Sequence, residues 1–168
     1  MTTDHLKPRR PEDSATETVH VVLPNDANPA GFMLGGSVMH LIDLAGAIAS
    51  RRHTRSRVVT ASVDSVEFLH PVKIGDLLIL RSRVTCVFHT SLEVEVEVVS
   101  EEPLTGTRRL TSRAFLTFVG VDKKGCPTPI PPLLVESIDD THRAETARAR
   151  RAQRLKARGR LASDNFSL

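Results

Sequence analysis

The sequence predicts an α+β fold: one antiparallel sheet of about five strands wrapped around a central helix, with a second, basic helix at the C-terminal end. Three observations carry this. Leu34 to His53 is a twenty-residue apolar segment in which Val38, Leu41, Ala45, Ile48 and Ala49 recur at helical spacing. Four β-branched, alternating stretches follow it without intervening helices, which favours antiparallel pairing over a parallel sheet. A last stretch rich in Ala and Arg has helix-forming composition.

Taken in order, residues 1–17 are polar, contain Pro8 and Pro11, and read as a disordered arm. Thr18 to Leu23 alternates weakly and is β-branched, which makes it a short strand. Pro24 to Gly31, PNDANPAG, has the composition of an irregular loop. The helix Leu34 to His53 comes next, opened by Gly35 and Gly36 and carrying a single carboxylate, Asp43. Val58 to Phe68 is a strand, and His70 to Asp76 a turn. In Leu77 to Phe88, alternation puts Leu78, Leu80, Val84, Cys86 and Phe88 on one face; Arg81, Arg83 and Thr85 share the other, expected to be solvated. Ser91 to Ser100 alternates most cleanly, Leu92, Val94, Val96 and Val98 against Glu93, Glu95 and Glu97, as a half-buried strand with one wet face does. Arg108 to Val121 is the last strand, closed by Asp122 to Gly125. The prolines of CPTPIPPL cannot donate to a ladder, so the sheet ends there. From Val135 to about Leu161 a weakly amphipathic basic helix has only Ile138, Leu155, Leu161 and alanines to bury. The organisation is an arm (1–17), one domain (18–133) and a basic helical extension (134–168).

Composition narrows the function. With no Trp, no Tyr and 4% aromatic residues, the core must come from Val, Leu and Ile. The net charge of +3 is local. Thr141 to Leu161 holds eight of the 23 Lys/Arg and one of the 20 Asp/Glu, so the rest of the chain carries fifteen basic against nineteen acidic residues. No apolar run is long enough to span a bilayer and the N-terminal residues lack a signal-peptide core, so the expected compartment is the cytoplasm. Cys86 and Cys126 are far apart, and the seven scattered histidines show no metal-ligand spacing. Nucleotide-binding, nucleophile-elbow and HExxH signatures are absent.

What remains is Asp43, the loop before the helix, and the helix start. A buried carboxylate needs a partner or a task; Arg51, His40 or a neighbouring subunit are structural candidates, and small residues at Gly36, Gly46 and Ala47 flank it. A glycine-led helix N-terminus offers unpaired N–H groups and a positive dipole end, which stabilise an oxyanion. Asp43, two turns on, can serve as general base for water or as nucleophile. Asn28 can orient a water or a carbonyl. The set suits hydrolysis of an activated acyl group, with no metal and no cofactor.

The stretches PNDANPAGFMLGGSVMHLIDLAGAIASRRH, VVTASVDSVEFLHPVKIGD, TSLEVEVEV and FLTFVGVDKKGCPTPIPP resemble acyl-CoA hydrolases of the hotdog thioesterase superfamily. The similarity is to the bacterial short- to medium-chain type and to each half of the brain-type cytosolic enzyme, over about residues 18 to 133. The resemblance implies a hotdog dimer, commonly assembled into a trimer of dimers, with the active site at the dimer interface. It implies Asp43 as the catalytic acid of the helix, Asn28 supplied by the other subunit, and Gly35 and Gly36 polarising the thioester carbonyl. It suggests Thr60, Thr90 and Ser91 near the dimer seam for coenzyme A, with Arg113 or Lys123 for its phosphates. The small-residue face of the helix, Gly36, Gly46 and Ala47, is then expected to meet the partner subunit. Two other functions fit parts of the sequence: a non-catalytic acyl-CoA sensor, and a nucleic-acid or anionic-surface binder acting through the basic tail, the latter disfavoured by the acidic body and the lack of stacking aromatics.

Overall fold

A computed structural model describes the backbone of residues 6–164 and the side chains of residues 6–159. Strand β1 (Thr16–Val21) leads through the asparagine loop to helix α1 (Gly35–Thr54). Strands β2 (Arg57–Phe68), β3 (Leu77–Val87), β4 (Ser91–Glu102) and β5 (Thr107–Val121) follow, and then helix α2 (Ile138–Asp164). The strands form one antiparallel sheet in the order β1-β3-β4-β5-β2. Consecutive strands β3, β4 and β5 are neighbours, whereas β2 crosses to the far side of β5 and becomes an edge.

Helix α1 packs into the concave face. Val38, Ile42, Ala45 and Ala49 are buried against Leu78, Leu80 and Val84 of β3, Leu92, Val94, Val96 and Val98 of β4, and Ala114, Leu116 and Phe118 of β5. The buried face of the helix is rotated from the expected one. Ile42 belongs to it, while Ile48 is exposed and Leu41 only partly buried. Gly46 also faces this chain's own sheet: a Cβ there would lie 2.9 Å from Phe118 Cε2. Only Gly36, with nothing within 4 Å, keeps the open surroundings expected of the small-residue face.

The outer face of the sheet is dry beneath α2, where a wet face was expected, while Arg81 stays half exposed as expected. Helix α2 crosses it and turns Asp140, Arg143, Ala144, Ala147, Arg150 and Arg154 inward at helical spacing. Glu93 is 0% and Glu95 6% exposed. Each is paired: Arg150 Nη2 and Nε donate to Glu93 at 2.7 and 3.0 Å, and Arg143 donates to Glu95. Arg83 of β3, expected in solvent, binds Asp140 and Glu12. Arg150 stacks over Phe115 with its guanidinium carbon 3.7 Å from the ring centroid, and Arg151 lies over Phe88 at 4.4 Å. Among the anticipated anchors of the helix, Ile138 and Leu155 are exposed and Leu161 lies outside the described side chains. The helix is held by ion pairs and small alanines. A register shift between Val84 and Cys86 moves Cys86 from the α1 face to this outer cluster, beside Ala144 and Ala147.

The arm expected to be disordered is tied down from Arg9 onward. Arg9 N–H donates to Pro132 O at 3.0 Å and Leu134 N–H to Arg9 O at 2.8 Å; a single 3₁₀ turn at Pro11–Asp13 leads into β1 at Thr16. The first five residues of the arm, and the last four of the chain, lie outside the described residues. The proline-rich stretch after β5 runs as a non-strand strap: Ile130 N–H donates to His89 O, and the buried His53 at the end of α1 bonds Pro131 O at 2.9 Å.

Candidate active site at the start and middle of the central helix

The loop from Pro24 to Leu34 owes its shape to Asn28. Its Oδ1 accepts from Ala30 N–H at 3.0 Å and Phe32 N–H at 3.2 Å, while its own N–H donates to Phe32 O at 2.8 Å. This is the local turn chemistry Asn favours. Gly31 adopts φ 81°, a backbone angle that favours glycine. The loop then locks onto the β2–β3 turn: Met33 N–H donates to Val72 O at 2.8 Å, and Ile74 N–H to Gly31 O at 3.2 Å. Asp26 Oδ2 binds Leu23 N–H at 2.9 Å and His20 Nε2 at 3.0 Å; these two bonds, His20 first, hold its carboxyl below the usual range.

Helix α1 opens without a side-chain cap at Leu34. Its first-turn N–H groups, including those of Gly35 and Gly36, therefore lack intrahelical acceptors and mark the positive end of the dipole. Two hollows flank the helix start. One, of about 380 Å³, lies between Gly35, Phe32, Val38 and Phe68; the other, of about 400 Å³, is bordered by Gly36, Ser37, His40 and the His20–Asp26 pair. A Cβ on Gly35 would sit 3.3 Å from the Phe68 ring, whereas Gly36 opens onto free space.

Asp43 is partly buried, and its partner is neither Arg51 nor His40. Thr60 Oγ1 of β2 donates to Asp43 Oδ1 at 2.7 Å. Sequence reasoning placed Thr60 with the coenzyme; the structure puts it on the carboxylate. One carboxylate oxygen is thus fixed, while Oδ2 has no hydrogen-bond partner among the described residues. The two elements that carry this pair also present exposed large hydrophobics, Leu44 and Ile48 of α1 and Val59 and Val63 of the edge strand β2.

Within one chain the pieces do not converge. Asp43 stands seven residues beyond Gly36, about 10 Å along the helix axis, too far for one thioester carbonyl to touch both. Asn28 bonds only its own loop among the described residues. The remaining candidates divide into two groups. Gly120 N–H donates to Thr90 O at 2.9 Å, and Ser91 pairs with Val119; both lie at the end of the sheet from which β2 starts, since Arg57 pairs with Val121, and the exposed Lys123 follows directly in the next turn. Arg113 lies apart on the outer face, its guanidinium engaged by Glu97 at 2.5 Å and Glu95 at 3.4 Å. No group of three or more His, Cys, Asp or Glu with metal-binding geometry occurs among the described residues.

The fold is that of the hotdog thioesterases, and residues 30–107 match the thioesterase superfamily family model. The chain is 41% identical over 139 residues to YkhA of Bacillus subtilis, described as an uncharacterized acyl-CoA thioester hydrolase, covering 83% of this chain and 80% of that protein. It is 33% identical to the cytosolic acyl coenzyme A thioester hydrolase of Rattus norvegicus, covering 83% of this chain but 37% of that longer protein. The crystal structure of an apo-hexameric acyl-CoA thioesterase superposes with a TM-score of 0.86 at 41% identity, over 90% of this chain and 97% of that one. The chain belongs to the acyl-CoA thioester hydrolases of the thioesterase superfamily.

Proposed function

We propose that the chain hydrolyses fatty acyl-CoA to free acid and coenzyme A at sites shared between two copies, with Asp43 as the reactive carboxylate. The observation that carries this is the Asp43–Thr60 pair beside an exposed apolar edge strand, about two helical turns from the uncapped helix start. A second copy docked on β2 brings its own loop and helix start opposite Asp43, which removes the 10 Å gap (about two turns of helix).

In that arrangement the N–H groups of Gly35 and Gly36 at the second copy's helix start polarise the thioester carbonyl and carry the oxyanion. Asn28 of the second copy positions water or substrate. Asp43 Oδ2 removes the proton of water as the oxygen attacks the carbonyl carbon; collapse of the tetrahedral adduct breaks the C–S bond, and the proton passes to the departing thiolate. As a nucleophile, Asp43 attacks the carbonyl carbon and expels the coenzyme A thiolate to give an anhydride, which water then opens to the free acid, its proton passing to the thiolate. Neither route calls for a metal or cofactor. Thr90, Ser91 and Lys123, at the sheet end where β2 begins, are placed to meet the coenzyme. Arg113 is the weaker phosphate candidate because its charge is already spent on two glutamates. Assembly beyond the dimer, to a trimer of dimers, follows the hexameric relative. A cytoplasmic location follows the cytosolic one, and no described helix is long and apolar enough to cross a membrane.

The test is thiol release from a ladder of acyl-CoA lengths with Asn28→Ala, Asp43→Ala and their mixture. Each single variant is expected to be inactive. Random exchange between them restores about a quarter of the parent activity, because half the dimers are mixed and each holds one intact site. Full activity in Asp43→Ala removes the mechanism; two dead variants that do not complement remove the shared site. Coenzyme A binding without turnover in the parent supports a sensor instead.

A further inference from the structure

We infer that the C-terminal helix positions the catalytic pair from behind the sheet, through Arg154 and Arg158 acting on the two bulged residues of β2. The inference rests on Asp43 and Thr60 working as proposed above. Strand β2 pairs with β5 in register except at two places: Thr60 faces Phe118 and Ser62 faces Thr117, so Ala61 is skipped; Val63 faces Leu116 and Ser65 faces Phe115, so Asp64 is skipped. These two residues are the ones α2 holds. Arg158 Nη2 donates to Ala61 O at 3.3 Å, and Arg154 Nη1 donates to Asp64 Oδ2 at 2.5 Å. Asp64 Oδ1 in turn accepts from Ser62 Oγ at 3.3 Å.

The geometry has a mechanical consequence. A bulge leaves its extra residue out of the ladder and lets the strand bend. Two bulges within the six residues from Thr60 to Ser65 leave this stretch weakly determined by its ladder with β5. Thr60 borders the first bulge and donates its hydroxyl hydrogen bond to Asp43 of α1. The two arginines supply from the outer face the anchoring that the ladder lacks. The Arg154–Asp64 pair is largely shielded, each side chain being 14% exposed, so it is less screened than a surface pair. Arg154 and Arg158 are positioning residues: neither touches the reacting atoms, and both act through Thr60.

A double-variant cycle tests this in the full-length protein. Arg154→Ala combined with Arg158→Ala is expected to lower kcat about tenfold, KM staying within about twofold, since the loss is in orientation rather than binding. Arg154→Lys, which keeps a cation for Asp64, recovers part of that loss. In a Thr60→Val background the same arginine substitutions have no further effect on kcat. Arg143→Gln, which breaks ion pairs elsewhere on the helix, lowers Tm and leaves kcat unchanged. The inference is overturned if the double arginine variant keeps its kcat, or if its factor is undiminished in Thr60→Val, which marks general loosening. Asp43→Ala is assayed beside these: activity there defeats the carboxylate assignment itself, while an inactive Asp43→Ala with an uncoupled cycle defeats only the positioning role.

Discussion

Thr60 on β2 donates a 2.7 Å hydrogen bond to Asp43 in the middle of α1, joining the central helix to an edge strand that its own chain leaves open on one side. The bond fixes one carboxylate oxygen and so the direction of the other. Thr60→Val is expected to lower kcat about ten- to a hundredfold with a small change in KM, and Thr60→Ser to retain most of it, because only the hydroxyl is used. Steady-state kinetics of thiol release checks this; equal kcat in Val and Ser variants would leave the bond without a catalytic role.

The glycines of α1 separate packing from chemistry. Gly46→Ala places a methyl 2.9 Å from Cε2 of the fully buried Phe118. Overpacking of about 1–3 kcal/mol outweighs the roughly 1 kcal/mol gained in helix propensity, so Tm falls. Gly36→Ala meets nothing within 4 Å and is expected to leave Tm level or higher while depressing kcat by crowding the reactant. Thermal unfolding and kcat measured on the same two variants resolve the roles.

Glu93 lies fully buried beneath α2, accepting from Arg150 and from Thr85 Oγ1 at 2.7 Å. Arg150→Ala strands that carboxylate and is expected to destabilise by about 3–5 kcal/mol. Replacing both with leucine, Glu93→Leu with Arg150→Leu, recovers most of the loss, since the buried charge goes with its partner. Denaturant midpoints of the single and double variants test it; a double variant as unstable as the single one would contradict the stranded-charge account.

His53 is completely buried, with Nε2 on the Pro131 carbonyl and Nδ1 without a partner among the described residues. Burial depresses its basicity most; the Pro131 bond opposes this, the Arg9 charge adds to it, and Asp13 opposes it. A folded-state pKa below the unfolded 6.5 means that the unfolded chain binds the proton more readily. The contribution to stability is therefore full above about pH 6.5 and lost as the pH falls through the folded value. His53→Gln is expected to flatten the fall in Tm between about pH 7 and 5. An unchanged slope would show that His53 does not govern it.

Much of this protein was legible locally. The period of α1, the alternation of β4, the prolines after β5 and the glycine-led helix start each declare themselves over a few residues, and Asp43, Asn28, Gly35 and Gly36 stand out by chemistry alone. The buried face of α1 was misjudged because neighbouring positions such as Leu41 and Ile42 are both apolar, and periodicity alone does not choose between them. The glutamates of β4 read as solvent-facing because their cations come from 48 and 57 residues further along. Arg154, Arg158 and Asp64 carried no signal at all, since a bulge leaves no mark in strand composition.

The sequence by itself determined the elements, their order, and the lone carboxylate carried by a glycine-led helix, because helical and strand periods and backbone freedom are properties of short segments. Tertiary structure decided which face of α1 is buried, that the arginines of α2 neutralise the outer face of the sheet, and that Asp43 answers to Thr60. Those outcomes depend on desolvation and on pairing between residues distant in the chain. The 10 Å between helix start and carboxylate (about 1.5 Å per residue) is likewise visible only once the chain is folded, and it is the gap that the proposed second copy would close.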